Sequence, residues 1–422
     1  IYETLHGVKK GLKDIVAPQG MFEDLGLKYV GPIDGHNIEA IEDALRHART
    51  FGHPVLVHVI TAKGRGHRPA LEDEAEKFHA VGVVNPETGK PVSEPVRSWT
   101  SVFADELVEI GKKRIDVVAI TAAMLGPTGL DKFQTHFPKR TFDVGIAEQH
   151  AVTSAAGMAF GGLHPVVALY SSFLNRAFDQ MLLDVALHKA GVTFVLDRAG
   201  VTGDDGPSHH GIWDLAITGI VPGMHVAAPR DGSRLKEALN ACVEISDAPS
   251  MVRFPKGAVH ADIPAFERNN GLDVLYRGES ADVLLVSIGA MAPIAVEAAG
   301  MAYREGVGVT VVDPLWVKPL PQSLVTMARR YKSIVVLEDG IRHGGVASSI
   351  RELLSDASVD VPVHSLGVPL EFIEHSKRQE ILADLGITVQ NIARSLVSAN
   401  SGTIGGSTEL GKQLQPDENV DR

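Results

Sequence analysis

Short apolar, β-branched runs alternate with amphipathic stretches along almost the whole chain. The runs are PVLVHVIT (54–61), DVVAIT (116–121), HPVVALY (164–170), GVTFVLD (191–197), PSMVRF (249–254), DVLLVSIG (282–289), GVTVVDP (308–314) and SIVVLED (333–339). Near-continuous apolar runs of this length, bounded by turn residues, are the pattern of strands buried on both faces. Between them, SVFADELVEIGKK (101–113) and DGSRLKEALNACVEIS (231–246) repeat apolar residues at helical spacing, and Asp231 or Ser233 is predicted to cap the second. Strands spaced by helices predict an α/β fold of parallel sheets flanked by helices.

Two breaks in composition predict boundaries. Residues 84–98 (VNPETGKPVSEPVRS) are rich in Pro, Gly and polar residues, and residues 258–277 read as a second irregular zone before a fresh βαβ pattern. The expected partition is therefore 1–90, 97–265 and 278–398, with a polar, Gly/Ser-rich tail at 399–422 predicted to be disordered.

Composition narrows the function classes. The net charge of −12, from 40 Lys plus Arg against 52 Asp plus Glu, argues against nucleic acid as a partner. Any phosphate ligand must then be held by a few local cations. No apolar run approaches the roughly 18 residues of a membrane span, so no membrane partner is expected. The single cysteine, Cys242, excludes an internal disulfide framework and fits a reducing compartment. The chain opens at Ile1, in what reads as the middle of a domain, and is expected to be a fragment or a truncated product.

The densest chemistry lies in the middle. GIAEQHAVTSAAGMAFGG (145–162) places Glu148 at the head of a helix of small apolar residues, where a carboxylate is expected to be buried and in need of a partner. In LDRAGVTGDDGPSHHGIWD (196–214), a strand ends in Asp197 and Arg198, and a Gly-rich loop then presents Asp205, His209 and His210. Such a loop sits beyond the carboxyl end of a strand, where sites of parallel α/β sheets lie. YSSFLNRAFDQ (170–180) offers Tyr170 and Phe173 as a surface for a flat ring, with Arg176 on the same helical face as Phe173. MVRFPKG (251–257) offers Arg253 and Lys256 as a phosphate clamp, and TAKGRGH (61–67) offers Lys63, Arg65 and His67. Each motif alone admits a plainer reading: a satisfied core glutamate, a core phenylalanine, or solvated loop cations and imidazoles. Metal-ligand spacing is absent from the histidine-bearing loop.

Taken in order, YVGPIDGH (29–36), KGRGH (63–67), FHAV (78–81), DVGIAEQHA (143–151), YSSFLNRAFDQ (170–180), DRAGVTGDDGPSHHG (197–211), VRFPKG (252–257) and VDPLWVKPL (312–320) closely resemble the 1-deoxy-D-xylulose-5-phosphate synthase family. These are thiamine-diphosphate enzymes of the transketolase superfamily, and the resemblance covers residues 1 to about 398. It implies a thiamine-diphosphate-binding fold in three parts. Residues 1–90 would be the remnant of the diphosphate-binding domain, 97–265 the pyrimidine-binding domain, and 278–398 a transketolase C-terminal-like domain, mainly structural.

The implied reaction condenses pyruvate with D-glyceraldehyde 3-phosphate, releases CO2, and feeds isoprenoid precursor, thiamine and pyridoxal synthesis. By resemblance, Glu148 hydrogen-bonds N1′ of the aminopyrimidine, and Phe173 stacks on that ring with Tyr170 and Arg176 close by. Asp205, His209 and Tyr170 contact substrate, and Arg198 and Lys256 hold the acceptor's phosphate. Lys63, His67 and His79 match positions near the diphosphate and thiazolium, His79 among the catalytic groups. An aromatic is common in the family at the place of His67, so a hydrogen bond is expected there instead of packing.

The resemblance departs at the front. The family binds Mg2+ and diphosphate through a GDG…N segment, and none of the DG pairs here (Asp34-Gly35, Asp205-Gly206, Asp231-Gly232, Asp339-Gly340) stands in that frame. No metal ligand is assigned within the chain; the ligands are expected in a missing upstream segment, without which the chain should be inactive. A cytoplasmic homodimer is also implied, with the site described in the family as lying between the first two domains of one chain. Three other readings compete: an E1 β-like subunit of a 2-oxo-acid dehydrogenase, transketolase proper, and a non-catalytic homologue serving in assembly. Residues 1–90 and the DRAG…DDGPSHHG loop speak against the first, and a pyruvate requirement would exclude the second. Retention of Glu148, Arg198, His209 and Lys256 speaks against the third.

Overall fold

The parallel strands predicted from the sequence are the frame of the molecule, and two units are built on them. The computed structural model describes residues 19–73, 77–79, 81–92 and 96–402. The chain divides between Pro95 and Val96. In the first unit, strands β1 (Lys28–Asp34) and β2 (Val55–Ile60) pair in parallel. Helix α1 (Ile38–Thr50), which connects them, starts where the Asn37 side chain accepts the Ala40 N–H at 3.1 Å.

The second unit carries two sheets. Its strands in chain order are β3 (Val117–Thr121), β4 (Thr141–Asp143), β5 (His164–Tyr170), β6 (Thr193–Asp197), β7 (His225–Ala227), β8 (Ser250–Arg253), β9 (Glu267–Asn269), β10 (Leu272–Arg277), β11 (Val283–Ser287), β12 (Val309–Asp313), β13 (Trp316–Lys318), β14 (Ser333–Ile341) and β15 (Val363–Val368). The first sheet has the order β13-β7-β8-β6-β5-β3-β4, parallel except for β13. The second has the order β15-β14-β11-β12-β10-β9, with β10 and β9 antiparallel at one edge.

Strand alternation sends side chains to both faces of the first sheet. Val166, Ala168, Val195 and Val252 pack under helices α2 (Trp99–Lys113) and α5 (Gly232–Val243), with Trp99, Phe103, Leu107, Leu235 and Leu239 buried between. Val167, Leu169, Phe194 and Leu196 face α3 (Glu148–Phe160), whose Ala151, Val152 and Ala155 are fully buried. Small residues let α3 lie close to the sheet. The same apolar cluster runs on into the second sheet through Leu284, Val286, Ile334 and Val336. Each such side chain is worth about 1.5–3 kcal/mol of burial. Helix α4 (Asp214–Gly219) follows the Gly-rich loop; α6 (Ala292–Arg304), α7 (Val346–Asp356), α8 (Arg378–Asp384) and α9 (Val389–Ser401) complete the second layer. No helix among the described residues is long and apolar enough to cross a membrane.

Three expectations are corrected. Residues 258–277 are not all irregular, because β9 and β10 form a hairpin there. Its turn, Asn270-Gly271, has positive φ at both residues (45° and 94°), the two-residue hairpin turn that an Asn-Gly pair announces. Residues 399–401 continue α9, which ends at Gly402 in the left-handed region (φ 68°). The rest of the predicted tail, 403–422, lies outside the described residues, as do residues 1–18. Finally, Ser98, assigned to the linker, is the N-cap of α2 and accepts the Ser101 N–H at 3.0 Å. Asp231 rather than Ser233 caps α5.

Candidate active site

The parallel strands β5, β6 and β8 all deliver their next residues to one edge of the sheet, and most of the expected site residues gather there. Tyr170 ends β5 and leads into a 3-10 turn, Ser171–Ala177. In such a turn residues three apart eclipse. Phe173 is half-buried and Arg176 is exposed. The Tyr170 and Phe173 rings lie 5.5 Å apart, tilted by 31°.

Arg198 follows β6 with φ +59°, a conformation costly for any residue but Gly. Its neighbours hold it: Ala199 N–H donates to Phe254 O at 2.9 Å, and Gly200 N–H donates to Gly211 O at 2.7 Å. Gly211 has no room for a side chain, since a Cβ would stand 2.5 Å from Arg198 O. So fixed, the guanidinium lies 4.0 Å over the Tyr170 ring and 3.6 Å from an Asp205 oxygen. Lys256, beyond β8, donates to the same Asp205 oxygen at 2.8 Å. Burial pushes the Asp205 carboxyl up, but the Lys256 hydrogen bond and the Lys256 and Arg198 charges outweigh it and hold it below its ordinary value. His209 sets its ring against Phe173 at 5.3 Å and bonds Ser208 Oγ through Nδ1 at 2.9 Å.

Glu148 opens α3, where unpaired backbone N–H groups favour a negative charge. The residue is 4% exposed, and its side chain makes no hydrogen bond or ion pair among the described residues. A carboxyl group on a buried residue, with no partner of its own, is fitted to take one from a ligand. An aromatic pair with two cations beside it can take a flat ring and an anionic group.

Two nearby groups act differently from expectation. Arg253, offered with Lys256 as a phosphate clamp, turns away from that edge. Phe254 enters the cluster under α2, so Arg253 points to the opposite face. There it donates to Asp214 at 2.6 Å and to Asp339 at 3.0 Å, with all three residues buried. Burial raises the Asp214 carboxyl, with one guanidinium beside it. Burial also pushes Asp339 up, but Arg253 and Arg378 together hold it below its ordinary value. Sequence reasoning missed Asp197 as a titrating group. It is fully buried at the end of β6, where burial pushes it to about 6 despite a 2.6 Å hydrogen bond from Thr100 Oγ1.

The first unit holds the remaining expected residues. Lys63, His67 and His79 are all exposed. The loops after β1 and β2 are tied together: His36 N–H donates to Asp34 at 2.9 Å, and Ala62 N–H donates to His36 Nε2 at 2.7 Å. The His67 ring meets Phe78 edge-on at 5.7 Å and makes no side-chain capping bond. Among the described residues no three His, Cys, Asp or Glu side chains gather as a metal cage.

Comparison with known proteins agrees with this fold. Residues 96–261 match the model of the transketolase pyrimidine-binding domain, 273–392 that of the transketolase C-terminal domain, and 1–61 that of 1-deoxy-D-xylulose-5-phosphate synthase. The chain is 58% identical to 1-deoxy-D-xylulose-5-phosphate synthase 2 of Streptomyces avermitilis over 94% of its own length and 62% of that relative. It is 56% identical to the synthase of Mycobacteroides abscessus over 96% of its length and 64% of that relative. The chain thus spans under two thirds of these relatives. A solved structure described as a split gene transketolase, inactive beta4 tetramer, matches 71% of this chain and 97% of its own at 29% identity, with a TM-score of 0.64.

Proposed function

The chain belongs to the 1-deoxy-D-xylulose-5-phosphate synthase family, and on that premise we propose that it carries the pyrimidine and acceptor halves of such a synthase site. The reaction joins pyruvate to D-glyceraldehyde 3-phosphate with uptake of one proton, giving 1-deoxy-D-xylulose 5-phosphate and CO2. The observation that carries this reading is the meeting of Tyr170, Phe173, Arg198, Asp205, His209 and Lys256 at one sheet edge.

When bound, thiamine diphosphate supplies the electron sink for decarboxylation and carbon–carbon bond formation. The chain's own residues would do the rest. Glu148 holds a proton at the ring nitrogen N1′ from a buried position. Phe173 and Tyr170 give the ring its apolar floor, with Arg176 at the rim. Arg198 and Lys256 bind the acceptor's phosphate, exchanging Asp205 for it. His209, oriented by Ser208, hydrogen-bonds the substrate's carbonyl or hydroxyl oxygen. For Lys63, His67 and catalytic His79, family resemblance alone supports a role near the diphosphate and thiazolium.

Mg2+ is the expected companion cation, with ligands from the part of the relatives that this chain does not span. Residues 1–90, 97–265 and 278–398 would be the diphosphate-domain remnant, the pyrimidine-binding domain and the C-terminal domain, the last extended by the β9–β10 hairpin. A cytoplasmic homodimer is the proposed form. The likeness to a split-gene transketolase chain favours a second reading, in which a separate chain supplies the diphosphate half.

The test is pyruvate decarboxylation with thiamine diphosphate and Mg2+, with and without D-glyceraldehyde 3-phosphate. It compares this chain with a version extended by an upstream segment from a full-length relative, and Glu148→Ala in each. Acceptor-dependent product from the extended form, abolished by Glu148→Ala, is expected. No turnover by the extended form would sink the proposal in favour of a non-catalytic homologue.

A further inference from the structure

The loop from Arg198 to Gly211 is anchored at its base by β8 and by its own closing bonds, but its middle rests on the C-terminal part of the chain. Arg378, at the start of α8, donates through one guanidinium nitrogen to Val201 O and through another to Asp339 Oδ2, the latter at 3.0 Å. Arg253 donates to Asp339 Oδ1 at 3.0 Å and to Asp214 Oδ2 at 2.6 Å. A line of alternating charges therefore runs from α4 through β8 and β14 to the loop's backbone.

The backbone is shaped for this contact. Gly200 (φ +75°) lies so close to Asp339 that a Cβ would stand 2.1 Å from its carboxylate. At Gly203 (φ +101°) a Cβ would stand 2.9 Å from Arg378 N and 3.1 Å from Ser376 O. Further along, His210 Nδ1 takes the Thr202 N–H at 3.1 Å while Nε2 lies 3.4 Å from Glu374 O. Glycines permit both the close approach and the left-handed turns.

We infer that Arg378 is a positioning residue for the acceptor loop: the C-terminal domain, through Arg378 and Asp339, sets where Arg198, Asp205 and His209 stand. The effect on phosphate binding rests on the clamp reading given above; the effect on loop order does not. Arg378 touches neither of the two clamp cations, so its influence must pass through the loop backbone.

The experiment uses the whole chain, as parent, Arg378→Ala, Arg378→Lys, Asp339→Asn and Lys256→Ala. Amide hydrogen exchange is read peptide by peptide, and inorganic phosphate binding is followed by 31P NMR. Arg378→Ala should speed exchange across 200–210 while 333–341 and 389–401 stay as in the parent. It should weaken phosphate binding about two- to thirtyfold. Arg378→Lys, which keeps one donor, should recover part of both, and Asp339→Asn should loosen the same loop. Unchanged loop exchange in Arg378→Ala overturns the inference, and so does exchange raised equally through the whole C-terminal domain. If Lys256→Ala binds phosphate like the parent, the clamp reading falls, and loop exchange alone decides the inference.

Discussion

Two clusters of basic side chains and aspartates lie on either side of β8, and they are built from like chemistry for opposite ends. Arg198, Asp205 and Lys256 meet at 3.6 and 2.8 Å with side chains 22, 25 and 33% exposed. Arg253, Asp214 and Asp339 meet at 2.6 and 3.0 Å with side chains 3, 0 and 3% exposed. Distance hardly separates them, whereas burial does. In the first cluster water already bears on each partner, so an incoming anion can replace Asp205 at modest cost. In the second, loss of one charge strands another away from solvent. The exposed cluster is suited to exchange ligands and the buried one to fix a loop.

The largest effect should come from Arg253→Ala, which leaves Asp214 without a cation and Asp339 with Arg378 alone. A loss of about 3–5 kcal/mol is expected, read from the shift of the urea midpoint. A shift no larger than that of a surface ion pair would erase the contrast between the clusters.

Asp197, behind the exposed cluster, sharpens the comparison through pH. Its carboxyl is raised from 3.8 to about 6, so the folded state holds a proton that the unfolded chain releases. That contribution is complete below about pH 4 and is lost as pH rises through 6. At ~1.4 kcal/mol per unit, the parent should lose up to about 3 kcal/mol over this window relative to Asp197→Asn. Urea unfolding of both forms from pH 4 to 7 tests it. Parallel stability curves would mean that Asp197 is ionised in the folded state throughout.

The smallest change in stability belongs to Lys256→Ala, within about 1 kcal/mol because the pair is partly solvated. Its phosphate affinity should nonetheless fall about tenfold, as befits a charge-assisted bond. A variant that unfolds at markedly lower urea while binding phosphate normally would reverse the roles assigned to the two clusters.

Much of this was legible in the chain. All eight apolar runs coincide with strands; seven are buried along their whole length, as a strand covered on both faces must be apolar throughout, while β2 is only part-buried. The three-residue strands β4, β7, β9 and β13 escaped notice, since three residues show no period. The β9–β10 hairpin carried a readable signal, Asn270-Gly271, within a stretch that otherwise looks irregular. Glu148 at a helix start and the Gly-rich loop after β6 were readable too, since helix entry and sharp turns are written in local residue types.

The fate of the individual cations was decided by tertiary structure alone. Arg198 and Arg253 both stand at strand ends beside an apolar run, and nothing local distinguishes them. One emerges over Tyr170 and the other is sealed beneath β14, because strand register fixes the face a side chain takes and distant segments decide what covers that face. Asp339 and Arg378 lie more than a hundred residues beyond the loop they hold. The sequence by itself determined the parallel frame, the buried Glu148 and the Gly-rich loop proposed to bear the chemistry. Folding decided which charges stay open to a ligand, because a carboxylate's or guanidinium's role depends on water that only neighbouring layers can exclude.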